Sequence, residues 1–249
     1  MPKANIVALD QKRKREISPR TPSRGRGLVR YEALLDATER LLERQDPDEV
    51  GLYQIAEEAK IPPPSVYHFF PTKEAAFEAL ARRVTTRLFE IHRQPIDARL
   101  IGNWTDLFRI DIDRARDFYN RSKPALKIFY GGYSGIDAQS VDRISADQIS
   151  ATGYDRMNAL FFMPHMPDAP KALGIRLGIL DAIWTISTSA HGYITDEYHD
   201  EAYRACHAYS RLYLPDRLEQ RPFLIDAARR GQQLLLPFDG EVEIMEGQS

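Results

Sequence analysis

The chain has 249 residues, 43% hydrophobic and 28% charged, with a formal net charge of −2; that is enough for one large or two modest domains with a buried core. No apolar run approaches the roughly 20 residues needed to cross a bilayer, and the basic N-terminus lacks the apolar segment of a secretory signal. A single cysteine, Cys206, excludes an intrachain disulfide framework and suits a reducing, cytoplasmic location.

Residues 1–26 show no sustained apolar period and contain Pro19, Pro22 and Gly25, so they read as a flexible arm. Residues 1–30 carry nine basic side chains against Asp10 and Glu16, a basic arm on an acidic body. That layout is expected when one end meets phosphate; a merely solubilising tail is the alternative for residues 1–19. A helix follows from about Leu28 to Arg44, with Leu28, Tyr31, Leu34, Leu35, Thr38, Leu41 and Leu42 on one face. After Asp46-Pro47-Asp48, two short helical patterns meet between Leu52 and Phe70. The next helix opens after Pro71-Thr72, with Thr72 as N-cap and Phe77, Leu80, Val84, Leu88 and Ile91 as its apolar stripe.

Pro95 and Gly102 frame a break before a second domain. Beyond it, Trp104–Tyr119, Pro124–Tyr130, Ala138–Phe162, Lys171–Ile194 and Glu197–Leu214 all accept a helical period, and strand alternation appears nowhere for long. Residues 222–236 suit one more short helix, and the last dozen residues read as a disordered tail. The fold class is therefore all-α, divided into an arm (1–26), a helix-turn-helix domain (27–94), a helical domain (103–236) and a tail (237–249).

The stretch Ile55-Ala56…Ala59-Lys60-Ile61-Pro62-Pro63-Pro64-Ser65-Val66-Tyr67-His68-Phe69-Phe70-Pro71-Thr72-Lys73-Glu74 carries the most information. A small Ala56 allows close helix approach, Ile61 plugs the turn and Val66 seats the second helix, the pattern of a helix-turn-helix. It resembles the DNA-binding domain of the tetracycline-repressor (TetR) family over about residues 28–92. The matching positions are Ile55-Ala56, Ala59, Ile61, Ser65-Val66-Tyr67, Phe70 and Pro71-Thr72-Lys73-Glu74, in one register without a gap. Two departures stand out. Lys60 replaces a glycine, at a steric cost if the turn is left-handed, and Pro62 replaces a serine cap, so its side-chain acceptor is missing.

The resemblance implies double-stranded operator DNA as partner and a homodimer reading two half-sites. The DNA-facing set is Arg24, Arg26, Tyr53, Pro64, Ser65, Tyr67, His68 and Lys73. Tyr67 and Lys73 carry phosphate donors, and Lys73 opposes the dipole of its own helix, which favours an external anion. Packing is the alternative for Tyr67, and plain solvation for His68. Arg24 and Arg26 suit a minor groove.

The segment Leu173–Ile186 is the most apolar window of the chain, broken by Arg176 and Asp181. Its helix has no wide polar face, the pattern of burial on several sides. The resemblance places such a helix in a four-helix bundle with its symmetry mate, with Ala182, Ser187 and Ala190 at the interface; a central core helix is the alternative.

The resemblance also implies a small-molecule effector in the second domain. Candidate lining residues are Trp104, Phe108, Tyr130, Tyr154, Met157, Trp184 and His191, although aromatics at helical spacing also serve as core. Enzyme signatures are weak. Gly132-Tyr133-Ser134-Gly135 falls short of a nucleophile elbow, and Cys206 and His207 point about 100° apart on a helix. No catalytic residue, metal ligand, cofactor or membrane partner is expected; an all-α enzyme or ligand carrier remains the alternative reading. Repression relieved by the effector is the expected mode of action.

Overall fold

The computed structural model describes residues 18–22, 25–131, 152–236 and 243–245. These form two compact units. The first contains the described residues up to Val84 together with the helix that follows Ser122. The second contains Thr85–Arg121 and the described residues from 152 onward.

The first unit is built on helix α1 (Arg26–Arg44), which buries Tyr31, Leu34, Leu35, Ala37, Thr38, Leu41 and Leu42. It begins two residues before the expected start, behind Gly25 at φ 71°. Leu28 is exposed in its first turn rather than part of the apolar face. The short helices α2 (Leu52–Ala59) and α3 (Pro63–Phe69) follow, then α4 (Lys73–His92). Thr72 caps α4 as expected, its hydroxyl accepting the Ala75 N–H at 3.2 Å.

Charge clamps these helices together. Glu58 on α2 accepts from Arg40 and Arg44 of α1, each at 2.7 Å. Arg83 of α4 reaches back to Glu32, to Asp36 at 2.6 Å and to Glu39 at 3.5 Å, all on α1. Helix α5 (Trp104–Arg121) belongs to the second unit, whereas α6 (Lys123–Tyr130) returns to the first. There Lys127 donates to the Gln45 carbonyl at 2.8 Å and pairs with Asp46 at 3.2 Å.

The division between units thus falls inside α4 and again between α5 and α6, not at Pro95–Gly102. A helix with apolar residues along its whole length gives no sequence signal for the point where its partners change.

In the second unit residues 152–160 form α7; residues 138–151 of the helix expected to run to Phe162 lie outside the described residues, and at its other end Phe161 instead bridges to Gln220. Helix α8 (Ala169–His191) and α9 (Asp196–Ser210) form a hairpin and pack extensively on each other. Asp168 and Thr195 cap their N-termini, and Gly192 at φ 79° ends α8. Helix α10 (Pro222–Arg230) fills the first part of the segment 222–236 expected to be helical, and Gly231 at φ 62° ends it before a strand at Gln233–Leu235. The core joins Trp104, Leu107, Leu160, Phe161, Leu173 and Leu224, all almost fully buried.

Three short strands, β1 (Ile96–Asp97), β2 (Gln233–Leu235) and β3 (Glu243–Met245), make an antiparallel sheet in that order. Ile96 pairs with Leu234, which pairs in turn with Ile244. Strands this brief show no alternation to read, and β3 falls in the expected tail.

Candidate nucleic-acid interface and effector region

The turn between α2 and α3 is a left-handed helix stop. Lys60 takes φ 55° and ψ 39°. Its N–H bonds the Glu57 carbonyl at 3.0 Å, and the Ile61 N–H bonds Ala56 at 3.0 Å. This pair of bonds is a Schellman motif, normally completed by glycine. Lys60 alone among the described non-glycine residues has a positive φ.

Pro62 then precedes α3 with no side-chain cap. Pro63 and Pro64 solve the capping problem differently, since neither has an N–H to satisfy. The first N–H of the helix, that of Ser65, bonds the Pro62 carbonyl at 2.9 Å. The same prolines leave fewer backbone donors for a phosphate at this helix start.

Val66, Phe69 and Phe70 face inward, with Ile55 and Ala56 buried on α2. The opposite side presents Tyr67, 54% exposed, with exposed His68 and Pro64 and half-buried Ser65. Tyr53 on α2 is 69% exposed. Large aromatic side chains held in solvent by short, rigid helices have no packing role to account for them.

Lys73 lies half-buried, its Nζ within 3.4 Å of the Pro47 carbonyl and 3.3 Å of the Asp48 carbonyl. It thereby ties α4 to the loop before α2. Arg26 is exposed in the first turn of α1, and Arg24 lies outside the described residues. The end of the arm is held in place: the Arg20 N–H donates to the Phe69 carbonyl at 2.9 Å, and the Thr21 and Tyr31 hydroxyls are 3.4 Å apart.

In the second unit the expected effector residues separate. Trp104 is completely buried, donates from Nε1 to the Pro215 carbonyl at 3.1 Å and stacks on His207. The stack continues through Tyr203 to Phe108, with centroids 6.1 and 5.8 Å apart. Met157 joins the same apolar core, and Tyr154 packs against it half-buried. Trp184 is buried between Tyr119 and His199. His191 sits exposed at the end of α8 beside Tyr193 and Tyr198, and Tyr130 belongs to the first unit. The aromatics of the second unit therefore largely satisfy one another.

The sequence reading missed the Asp111–Arg156 pair beside them and gave Arg176 no role. Arg156 on α7, 3% exposed, brings Nη1 within 3.0 Å of both oxygens of Asp111 on α5. Arg176 on α8 lays its guanidinium 4.5 Å from the centroid of the Phe108 ring. Burial opposes ionisation of Asp111, but Arg156 and His92 outweigh it and hold the carboxyl below its usual range. Burial depresses the Arg176 guanidinium from its ordinary value, and it pushes the neighbouring Cys206 thiol up to about 11.

On α8, Ser187 is completely buried. Its Oγ donates to the Tyr193 carbonyl and accepts the Thr195 N–H, both at 3.0 Å. It fastens the α8–α9 turn inside the subunit and turns away from any surface. Ala182 and Ala190, by contrast, are exposed, in line with Ile175 at 43% and Ile186 at 54%.

Among the described residues no helix is long and apolar enough to cross a membrane, and no group of His, Cys, Asp and Glu is arranged to hold a metal ion.

Residues 34–80 match the family model of bacterial regulatory proteins, tetR family. The fold is similar to a TetR-family transcriptional regulator from Streptomyces coelicolor, at 19% identity and TM-score 0.56, covering 74% of this chain and 99% of that one. It is also similar to a TetR regulator from Rhodococcus sp. RHA1, at 17% identity and TM-score 0.54, covering 73% and 94%. A third is the fatty acid degradation regulator FadR of Bacillus halodurans, at 12% identity and TM-score 0.53, covering 78% and 98%. No curated protein matches in sequence.

Proposed function

We propose that this chain, a tetR-family regulator by its helix-turn-helix and its fold, represses transcription as a homodimer bound to a roughly palindromic operator. The observation that carries the reading is the solvent face of α2 and α3. Tyr53, Pro64, Tyr67 and His68 stand out there from a buried framework of Ile55, Ala56, Val66 and Phe69. Helix α3 enters the major groove, Ser65 and His68 meet base edges, and Tyr67 and Lys73 donate to phosphates on either side. Arg24 and Arg26 follow the adjacent minor groove. No step of this function is catalytic.

The exposed side of α8 supports the homodimer. Ile175, Ala182 and Ile186 recur at helical spacing and leave an apolar strip in solvent, which a second copy covers by two-fold symmetry. Leu212, 72% exposed just after α9, extends the apolar surface.

A small-molecule effector held in the second unit releases the operator. It does so by binding more tightly to a dimer whose two α3 helices no longer match successive grooves. Genomic footprinting of the purified protein tests the reading. Protected sites with two-fold symmetry and a steep salt dependence are expected; uniform, sequence-independent protection would overturn it.

A further inference from the structure

Two arginines of the second unit carry buried donor atoms that no hydrogen bond satisfies among the described residues. Arg156 spends Nη1 on Asp111, while its Nε and Nη2 are buried with no hydrogen-bond partner among the described residues. Arg176 likewise has a buried Nη1 without a partner. Asp111 is already shared, since His92 Nδ1 lies 3.5 Å from it and Arg114 also feels its charge. Arg114 donates to the Gln94 and Pro95 carbonyls at 2.9 and 2.7 Å, so it brings no anion of its own. A buried guanidinium left with unmet donors is costly, and such a cost persists where a ligand removes it.

The two arginines reach neighbouring turns of α5. Phe108 under Arg176 and Asp111 beside Arg156 are three residues apart on α5, one turn of the same face. Across from them, Arg176 Nη2 lies 3.8 Å from where a Cβ on Gly153 would stand, and Gly153 is three residues before Arg156 on α7. A Cβ at Gly153 would stand in ordinary van der Waals contact with Arg176, so Arg176 lies against the turn of α7 that carries Arg156. Phe108 beneath Arg176, and Met157 next to Arg156 in the chain, are both buried apolar side chains.

We propose that Arg176 and Arg156 form the receptor for the carboxylate of a small organic acid, whose apolar body lies along Phe108 and Met157. A guanidinium fork matches a carboxylate better than any other side chain does, and the Phe108 ring holds the Arg176 plane from beneath. The inference rests on the effector reading and gives it a chemical class: the signal that releases the operator is an anion, and neutral isosteres of it are discriminated against.

The test is the melting temperature of the full-length protein titrated with acetate, benzoate and octanoate, against acetamide, benzamide and octanamide at matched ionic strength. At least one carboxylate is expected to raise the melting temperature in a saturable way while its amide does not. Arg176→Met should weaken that carboxylate about tenfold or more, and Arg176→Lys less. Arg176→Met should also raise the melting temperature of the ligand-free protein, because an apolar chain replaces an unsatisfied buried charge.

A lowered melting temperature in ligand-free Arg176→Met would make Arg176 structural and overturn the proposal. So would equal responses to acids and amides, or no response to any acid. A parallel titration with inorganic phosphate separates the sources of an oxyanion: a response to phosphate alone overturns the carboxylate assignment. Operator titration of the same samples without acid keeps the two readings apart. Loss of operator binding in the wild type would count against the regulator, not against the anion site.

Discussion

The Ile61 N–H closes onto the Ala56 carbonyl at 3.0 Å, and that one bond fixes the angle at which the candidate recognition helix leaves its neighbour. It forms only because Lys60, between them in the chain, adopts a left-handed backbone.

An L side chain in that conformation costs roughly 1 kcal/mol relative to glycine. Lys60→Gly is therefore expected to stabilise the protein by about 1 kcal/mol, somewhat less after the greater flexibility of unfolded glycine is counted. Urea denaturation of the two proteins measures it, and a less stable glycine variant would contradict the turn geometry.

Tyr67→Phe and Lys73→Ala should weaken binding to all DNA sequences alike while leaving helical content intact. Lys73→Ala should also lower the slope of log affinity against log salt by about one. Lys73 already donates to the Pro47 and Asp48 carbonyls, so its ammonium sits at a fixed place before DNA arrives. Titrations at several salt concentrations check both variants; an unchanged slope would limit Lys73 to holding the loop.

The helix-turn-helix was legible because its signals are local. Ala56, Ile61, Val66 and the Pro-Thr-Lys-Glu opening of α4 act within a few residues of one another, and element limits read from them lie within two residues of those observed. Ser187 was not legible, because its partners Tyr193 and Thr195 belong to the turn after its own helix. Small residues suited to a subunit interface and small residues suited to a tight turn look the same in sequence. Arg176 did show itself, as a charge interrupting the most apolar window. Its meeting with Phe108 and its nearness to Gly153 depend on three helices far apart in the chain.

Substitutions on α8 should divide into two kinds. Ala182→Arg and Ala190→Arg place a cation on the exposed strip and are expected to yield folded monomers with much weaker operator binding. Ser187→Arg forces a charge into a fully buried site, where several kcal/mol of desolvation should unfold the second unit instead. Sedimentation with circular dichroism separates the outcomes; folded dimers from both alanine variants would place the interface elsewhere.

Arg26→Ala is expected to cost most affinity on operators flanked by A·T-rich sequence, where a narrow minor groove concentrates negative potential. Equal losses on G·C-flanked and A·T-flanked sites would assign Arg26 to the phosphates.

The Asp111–Arg156 pair predicts an acid-sensitive second unit. Because the folded Asp111 carboxyl lies below its ordinary value, the pair's contribution is complete above the unfolded carboxyl value, near 4. It disappears as pH falls through the lower folded value. Asp111→Asn should be less stable than wild type at pH 7, and the difference should narrow under strong acid. Urea midpoints from pH 7 to pH 2 measure it, and a gap independent of pH would show that the Asp111 charge contributes nothing.

The pairing of Ile96 with Leu234 joins positions more than half the chain apart. A ribosome making this protein releases Arg26 to His92, the whole of α1–α4, long before Leu234 exists. Helices α1–α4 can thus assemble from neighbours during synthesis, whereas Ile96 must wait for its partner strand β2. Nascent chains would then pass through a stage with folded N-terminal helices and an unpaired β1. An unpaired strand edge in that interval is open to association with other chains.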